Sequence, residues 1–180
     1  MLPMPAPCVS SSTMILSCAA SPGSTCGYTS LLATQSLDAR ALLKPQGRDA
    51  LHMTLVFLGE TPRADLDALA DGIASSLVPH LPFQLALGSW SSFGAPPRTL
   101  WAGIQGEVEP LLLLQRAVAA EAIRRGWSAE HEEFTPHVTC FRVRQPVPGL
   151  ARTWKGLPLP RAAWPVREAV LFQSSPGPKG

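Results

Sequence analysis

The 180-residue chain is 46% hydrophobic and only 16% charged, which excludes a disordered or fibrous polymer and suits one domain able to bury about 70% of the surface its unfolded chain exposes. A net charge of +2 leaves no dense Lys/Arg stripe to neutralise many phosphates at once, so any contact with nucleic acid is local, at an end or on a short oligonucleotide. No apolar run approaches the length of a membrane span, and Cys8, Cys18, Cys26 and Cys140 have neither the C-x-x-C spacing nor the nearby histidines of a zinc site.

Met1 to Leu37 contain no charged residue; the positive flank of a secretory signal is missing, so a cytoplasmic protein with reduced thiols is expected, its first dozen or so residues loose. Thr13 to Ala20 reads as a strand ended by Ser21-Pro22-Gly23, and Thr29 to Leu43 as a loosely patterned helix. Leu51 to Leu58 is a strand closed by Gly59, after which Thr61 caps a helix with Pro62 at its first position. That helix, Pro62 to Leu77, carries Leu66, Leu69, Ala70, Ile73 and Leu77 on one stripe. Phe83 to Trp90 and Thr99 to Gln105 form an antiparallel hairpin with a Ser/Gly/Pro connection. Glu107 to Arg125 is a helix with Leu111, Leu114, Val118 and Ile123 toward the core and Gly126 just past its end. A strand from His137 to Arg144 follows, proline interrupts regular structure from Pro146 to Pro165, and Val166 to Gln173 is the last strand before a loose tail.

Within this order one phrase occurs twice. His52-Met53-Thr54-Leu55 and His137-Val138-Thr139-Cys140 each place a histidine and a threonine on one face of a strand. Roughly 0.2 such His-x-Thr pairs are expected by chance in a chain with four histidines, yet both fall in apolar, strand-like runs. The preceding elements repeat as well: Met14 to His52 and Trp101 to His137 each read as strand, helix, motif strand. Two similar halves packed about a pseudo-twofold axis bring both motif faces to one cleft.

Imidazole titrates near neutral pH, so a facing pair can hold one neutral base and one protonated acid, while two hydroxyls donate to non-bridging phosphate oxygens. The set suits in-line displacement at a phosphodiester with no cofactor or metal. The residues alone leave open which imidazole is acid and which is base.

The sequence resembles the 2H phosphoesterases, and among them the RNA 2′,3′-cyclic phosphodiesterases also called 2′-5′ RNA ligases. The resemblance runs from about Leu42 to Ser174 and rests on Leu51-His52-Met53-Thr54-Leu55 with Phe57-Leu58-Gly59-Glu60, on Leu100-Trp101, and on Phe134-Thr135-Pro136-His137-Val138-Thr139 with Arg142. It implies an α+β fold of two lobes, with antiparallel sheets lining a central cleft and helices on the outer faces. It further implies hydrolysis of terminal 2′,3′-cyclic phosphates to 2′-phosphomonoesters, with 2′-5′ ligation in reverse, and no cofactor. His52 is then the proton donor and His137 the acceptor; Thr54 and Thr139 bind phosphate. Arg142 matches a family arginine and is a candidate substrate contact, although strict alternation points it away from His137. Phe141 shares the face of His137 by the same alternation and is a second candidate, stacking on a base or crowding the cleft. Trp101 reads as core, His80 and His131 as surface, and Lys44 and Arg48 equally as charges at the cleft mouth or as ordinary surface charge.

The expected partners are RNA ends, short oligonucleotides or cyclic nucleotides, met by a monomeric, single bilobal domain over residues 1–180, without an obligate protein partner and without a membrane. Two other readings use the same motifs. A small-nucleotide cyclic phosphodiesterase would reject a long 5′ extension, and a non-catalytic RNA- or nucleotide-binding module would bind a cyclic phosphate without opening it.

Overall fold

The computed structural model describes residues 8–9, 12–16, 42–47, 50–59, 61–127, 133–158 and 161–173. In chain order these give strands β1 (Cys8–Val9), β2 (Ser12–Leu16), β3 (Leu43–Pro45), β4 (Met53–Phe57) and β5 (Thr61–Pro62), then helix α1 (Leu66–Leu77). Strands β6 (Phe83–Phe93) and β7 (Thr99–Gly106), helix α2 (Val108–Arg124), strand β8 (His137–Val143), helix α3 (Leu150–Lys155) and strands β9 (Ala163–Val166) and β10 (Val170–Gln173) complete the order. Every pairing is antiparallel: a three-stranded sheet β10-β2-β4, a five-stranded sheet β3-β8-β7-β6-β9, and a short β1-β5 ladder.

Two of these ladders repeat position for position. In the smaller sheet Thr13 lies between Phe172 and Phe57, and Ile15 lies opposite Thr54. In the larger sheet Thr99 lies between Phe93 and Arg142, and Trp101 lies opposite Thr139. The expected repeat is therefore present in the pairing, with Ile15 rather than Met14 as the counterpart of Trp101. Strand order shows how it is built: β6, from the middle of the chain, flanks β7-β8 as β10, from its end, flanks β2-β4.

The core lies behind these ladders. Helix α2 turns Leu111, Leu114, Val118 and Ala122 inward, all at 0% exposure, and packs on both β4 and β6, tying the two sheets together. Each such leucine or valine contributes about 1.5–3 kcal/mol by leaving water. Gly126 ends α2 at φ 94°, as the left-handed stop after a helix requires. Helix α1 buries Leu69, Ile73 and Leu77 against α2.

Several boundaries differ from the sequence expectation. Ile123 is half-exposed and Ala122 takes its place in the core, because a 3.6-residue period puts 122 and not 123 beside 118 and 111. Thr61 is no helix cap: Thr61–Pro62 pair with Cys8–Val9, a 3-10 turn at Arg63–Asp65 leads into α1, and the buried Thr61 hydroxyl accepts a bond from Trp127 Nε1 at 3.1 Å. The proline-rich stretch holds both α3 and β9, since Pro165 falls on an edge strand where no ladder donor is needed. Leu43 belongs to an edge strand and not to a helix. The helix from Thr29, apart from its end, together with the loose tail and His131, lies outside the described residues.

Candidate active site

Each motif histidine sits at the mouth of its strand, His52 just before β4 and His137 as the first residue of β8, and both are half-buried. They are anchored identically. His52 Nδ1 lies 2.7 Å from the Ala50 carbonyl and His137 Nδ1 lies 2.7 Å from the Thr135 carbonyl, two residues upstream in both cases. A carbonyl only accepts, so Nδ1 carries the proton in each ring and Nε2 is left to exchange one. Strands β4 and β8 pack against one another, and His52 is close enough for its charge to act on the His137 ring.

Past the histidines the two strands share a second device. Between Thr54 and Val56 the β4 ladder advances two residues while β2 advances one, and between Thr139 and Phe141 the β8 ladder does the same against β7. Leu55 and Cys140 are thus bulged residues, and a bulge reverses the alternation beyond it. Burial follows the same sequence in both strands. Met53 and Val138 are buried, Thr54 and Thr139 half-buried, Leu55 with Val56 and Cys140 with Phe141 buried, and Phe57 and Arg142 exposed.

The bulge corrects the reading of two candidates. Phe141 is 2% exposed and meets the edge of Trp154 with ring centroids 5.3 Å apart; it belongs to the core and offers no face to a substrate. Arg142, which strict alternation turned away, comes to the motif face instead. Its Nη1 donates to Thr99 Oγ1 at 3.1 Å and its charge acts on His137. Lys44 is exposed and lies directly across from Arg142 on β3, while Arg48 lies outside the described residues.

Three aromatic residues were not recognised as site residues. Phe93 meets His137 edge-on at 4.9 Å, and Trp101, half-exposed and not sealed in the core, lies 5.5 Å from His137 and 4.9 Å from Phe93. Phe57, 43% exposed, is the counterpart of Arg142. Trp101 shares the Thr139 face because the register sets the two residues directly opposite one another, and Phe93, opposite Thr99, follows on the same side. Burial among these rings holds His137 below the ordinary imidazole value; the Thr135 carbonyl opposes that, and positive charge on His52 and Arg142 adds to it. The neutral form of the His137 ring is therefore favoured over its imidazolium. His80, by contrast, lies in the 3-10 turn after α1 and is half-exposed.

Comparison with known proteins bears on what this arrangement is. A family model described as the 2′-5′ RNA ligase superfamily matches residues 30–178. An RNA 2′,3′-cyclic phosphodiesterase of Thermus thermophilus is 34% identical over 149 residues, covering 76% of this chain and 70% of that protein. One of Geobacillus stearothermophilus is 32% identical over 127 residues, covering 69% of this chain and only 40% of that protein. A crystal structure of a Thermus thermophilus protein, 28% identical, superposes with a TM-score of 0.64 over 94% of this chain and 91% of that one. Apo LigT of Escherichia coli, 20% identical, has the same fold with a TM-score of 0.68 over 94% of this chain and 90% of that one.

Proposed function

Because this chain belongs to the 2′-5′ RNA ligase superfamily, we propose that its two imidazoles form the acid and base of an RNA 2′,3′-cyclic phosphodiesterase. The observation that carries this reading is the twin anchoring of His52 and His137, each with Nδ1 fixed by a carbonyl at 2.7 Å and Nε2 without a hydrogen bond among the described residues, at the mouths of strands that pack together.

The reaction follows from these atoms. Water attacks the phosphorus of the cyclic phosphate and gives its proton to His137 Nε2. The bond from phosphorus to O3′ breaks, and His52 Nε2–H protonates the departing O3′. A 2′-phosphomonoester and a free 3′-hydroxyl result. The depressed basicity of His137 supports its role as acceptor, since it must be neutral when water arrives. Thr54 and Thr139 hydroxyls donate to the non-bridging oxygens, and the Arg142 guanidinium, steadied by Thr99, offsets the charge that builds there. A 5′-hydroxyl in place of water makes a 2′-5′ linkage through the same two proton transfers, which is the ligation direction. We read the working unit as a monomer acting on RNA ends in the cytoplasm.

The test is product analysis with an oligonucleotide ending in 2′,3′-cyclic phosphate, in EDTA. A 2′-phosphate end supports the reading. An unopened ring at high protein concentration refutes it, and a 3′-phosphate end refutes the assignment of O3′ as the leaving group.

A further inference from the structure

We propose that a groove on the far side of Trp101 from His137 is a subsite for the nucleoside on the 5′ side of the reacting RNA end. The proposal rests on the phosphodiesterase reading and names the substrate class of that site as an RNA chain and not a mononucleotide.

The groove has a volume of about 590 Å³ and is lined by Gly88, Ser89, Ser91, Trp101, Lys155 and Leu157 among others. Three features connect it to the chemistry. Trp101 is a shared wall, since its indole lies 5.5 Å from His137 and also lines the groove. Gly103 is the residue directly opposite His137 on β7, and a Cβ there would meet the Ser89 carbonyl at 3.3 Å and Trp101 Cζ3 at 3.4 Å. The sheet surface between the histidine and the groove is therefore bare backbone under the indole. Finally, β6 is irregular at this place: Leu87 pairs with Ile104 and Trp90 with Ala102, so Gly88 and Ser89 bulge out of register and widen the strand surface where the groove begins.

Spacing and chemistry select the occupant. From β8 to β6 is two strand spacings, roughly 10 Å, the scale on which a neighbouring nucleoside lies from a reacting phosphate. The lining offers an aromatic wall for a base, two hydroxyls for ribose or base edges, and one ammonium for a phosphate, with no carboxylate among the lining residues. That is the composition of a single-strand platform: stacking plus one cation.

The experiment compares kcat/KM for a mononucleoside 2′,3′-cyclic phosphate and for a dinucleotide with the same terminal base and cyclic phosphate, in the wild type, Lys155→Gln and Ser89→Tyr. The wild type should prefer the dinucleotide by roughly 5- to 100-fold, the range of one stacked base. Ser89→Tyr, which fills the groove, should bring that ratio close to one. Lys155→Gln should lower it and reduce the salt dependence of the dinucleotide reaction by about one phosphate contact. Equal wild-type efficiency on both substrates overturns the subsite while leaving the phosphodiesterase standing. A preference unchanged in both variants places the 5′ nucleoside elsewhere and also overturns it. A wild type that opens neither substrate removes the phosphodiesterase reading and the subsite with it.

Discussion

His137→Asn separates chemistry from folding at this site. The asparagine amide can reach the position of Nδ1 and donate to the Thr135 carbonyl, now 2.7 Å from the ring, but nothing in it replaces Nε2. Keeping the anchor preserves about 1 kcal/mol of net hydrogen bonding, and in a chain of this size each kcal/mol moves Tm by about 2–4 °C, so the variant should melt close to the wild type. The missing acceptor should lower kcat/KM by about 10²- to 10⁴-fold, equivalent to roughly 2.7–5.4 kcal/mol of transition-state stabilisation. His137→Ala should lose a similar rate and more stability, because it also opens a gap beside Phe93 and Trp101. Acid and base act in one displacement, so a double replacement of both histidines should cost about as much as the worse single one. Ring-opening rates in EDTA and thermal melts of the same preparations provide the two readouts. An asparagine variant that keeps its fold and its rate within tenfold of wild type would refute the assignment of His137 as proton acceptor.

Four further outcomes follow from the same geometry. The acid limb of the kcat/KM profile should lie below the ordinary imidazole value, because His137 accepts a proton only while neutral and its imidazolium is disfavoured; a limb at or above the ordinary value would contradict the burial argument. In NMR titrations Phe93→Ala should raise the His137 pKa further than Arg142→Met, since burial is the largest cause of the depression and the Arg142 charge the smallest, while Arg142→Met should also lower kcat/KM by about 10- to 100-fold through the lost phosphate contact. Thr61→Val removes the acceptor of the Trp127 indole at a fully buried position and should cost about 1–3 kcal/mol, read as a lower urea midpoint with unchanged m, with Thr61→Ser largely restoring it. Glu121 is held at about 2 by hydrogen bonds and charge from Arg124 and Arg125; its folded pKa lies below its ordinary 4.5, so its contribution is present above pH 4.5 and disappears as pH falls toward 2, and Glu121→Gln should flatten acid unfolding across that window.

The motif strands, the hairpin and both long helices were legible because each carries a period its own residues define: alternation in β4 and β8, a 3.6-residue stripe in α1 and α2. What escaped was decided between segments. Nothing local in Thr61-Pro62 distinguishes a helix cap from a short strand; the choice depends on Cys8–Val9 arriving to pair with it. Leu43–Pro45 likewise becomes a strand only because β8 offers an open edge. The proline-rich stretch holds α3 because Leu150-Ala151-Arg152 are good helix formers set between its prolines and Trp154 finds a pocket against Trp90 and Phe141. Arg142 and Phe141 were read with the wrong parity for one reason: a single bulged residue is invisible in an alternating pattern, and every side chain beyond it changes face.

That bulge also explains how a repeated unit can supply two unlike groups. Up to Thr54 and Thr139 the halves are the same in chemistry, with a carbonyl-anchored imidazole and a half-buried hydroxyl in each. Two identical imidazoles are a poor acid and base, since the pair works only when one is neutral as the other is charged. The first positions past the bulge to return to the motif face break the tie, Phe57 in one half and Arg142 in the other. The paired strand does so again, with Ile15 opposite Thr54 where Trp101 stands opposite Thr139. Among the described residues, His137 has a cation on its face together with a Trp101 wall, and its imidazolium is disfavoured by burial and by that charge. The duplicated backbone thus sets where the two Nε2 atoms stand, and on the proposed mechanism the unduplicated side chains around His137 are what keep it ready to receive a proton.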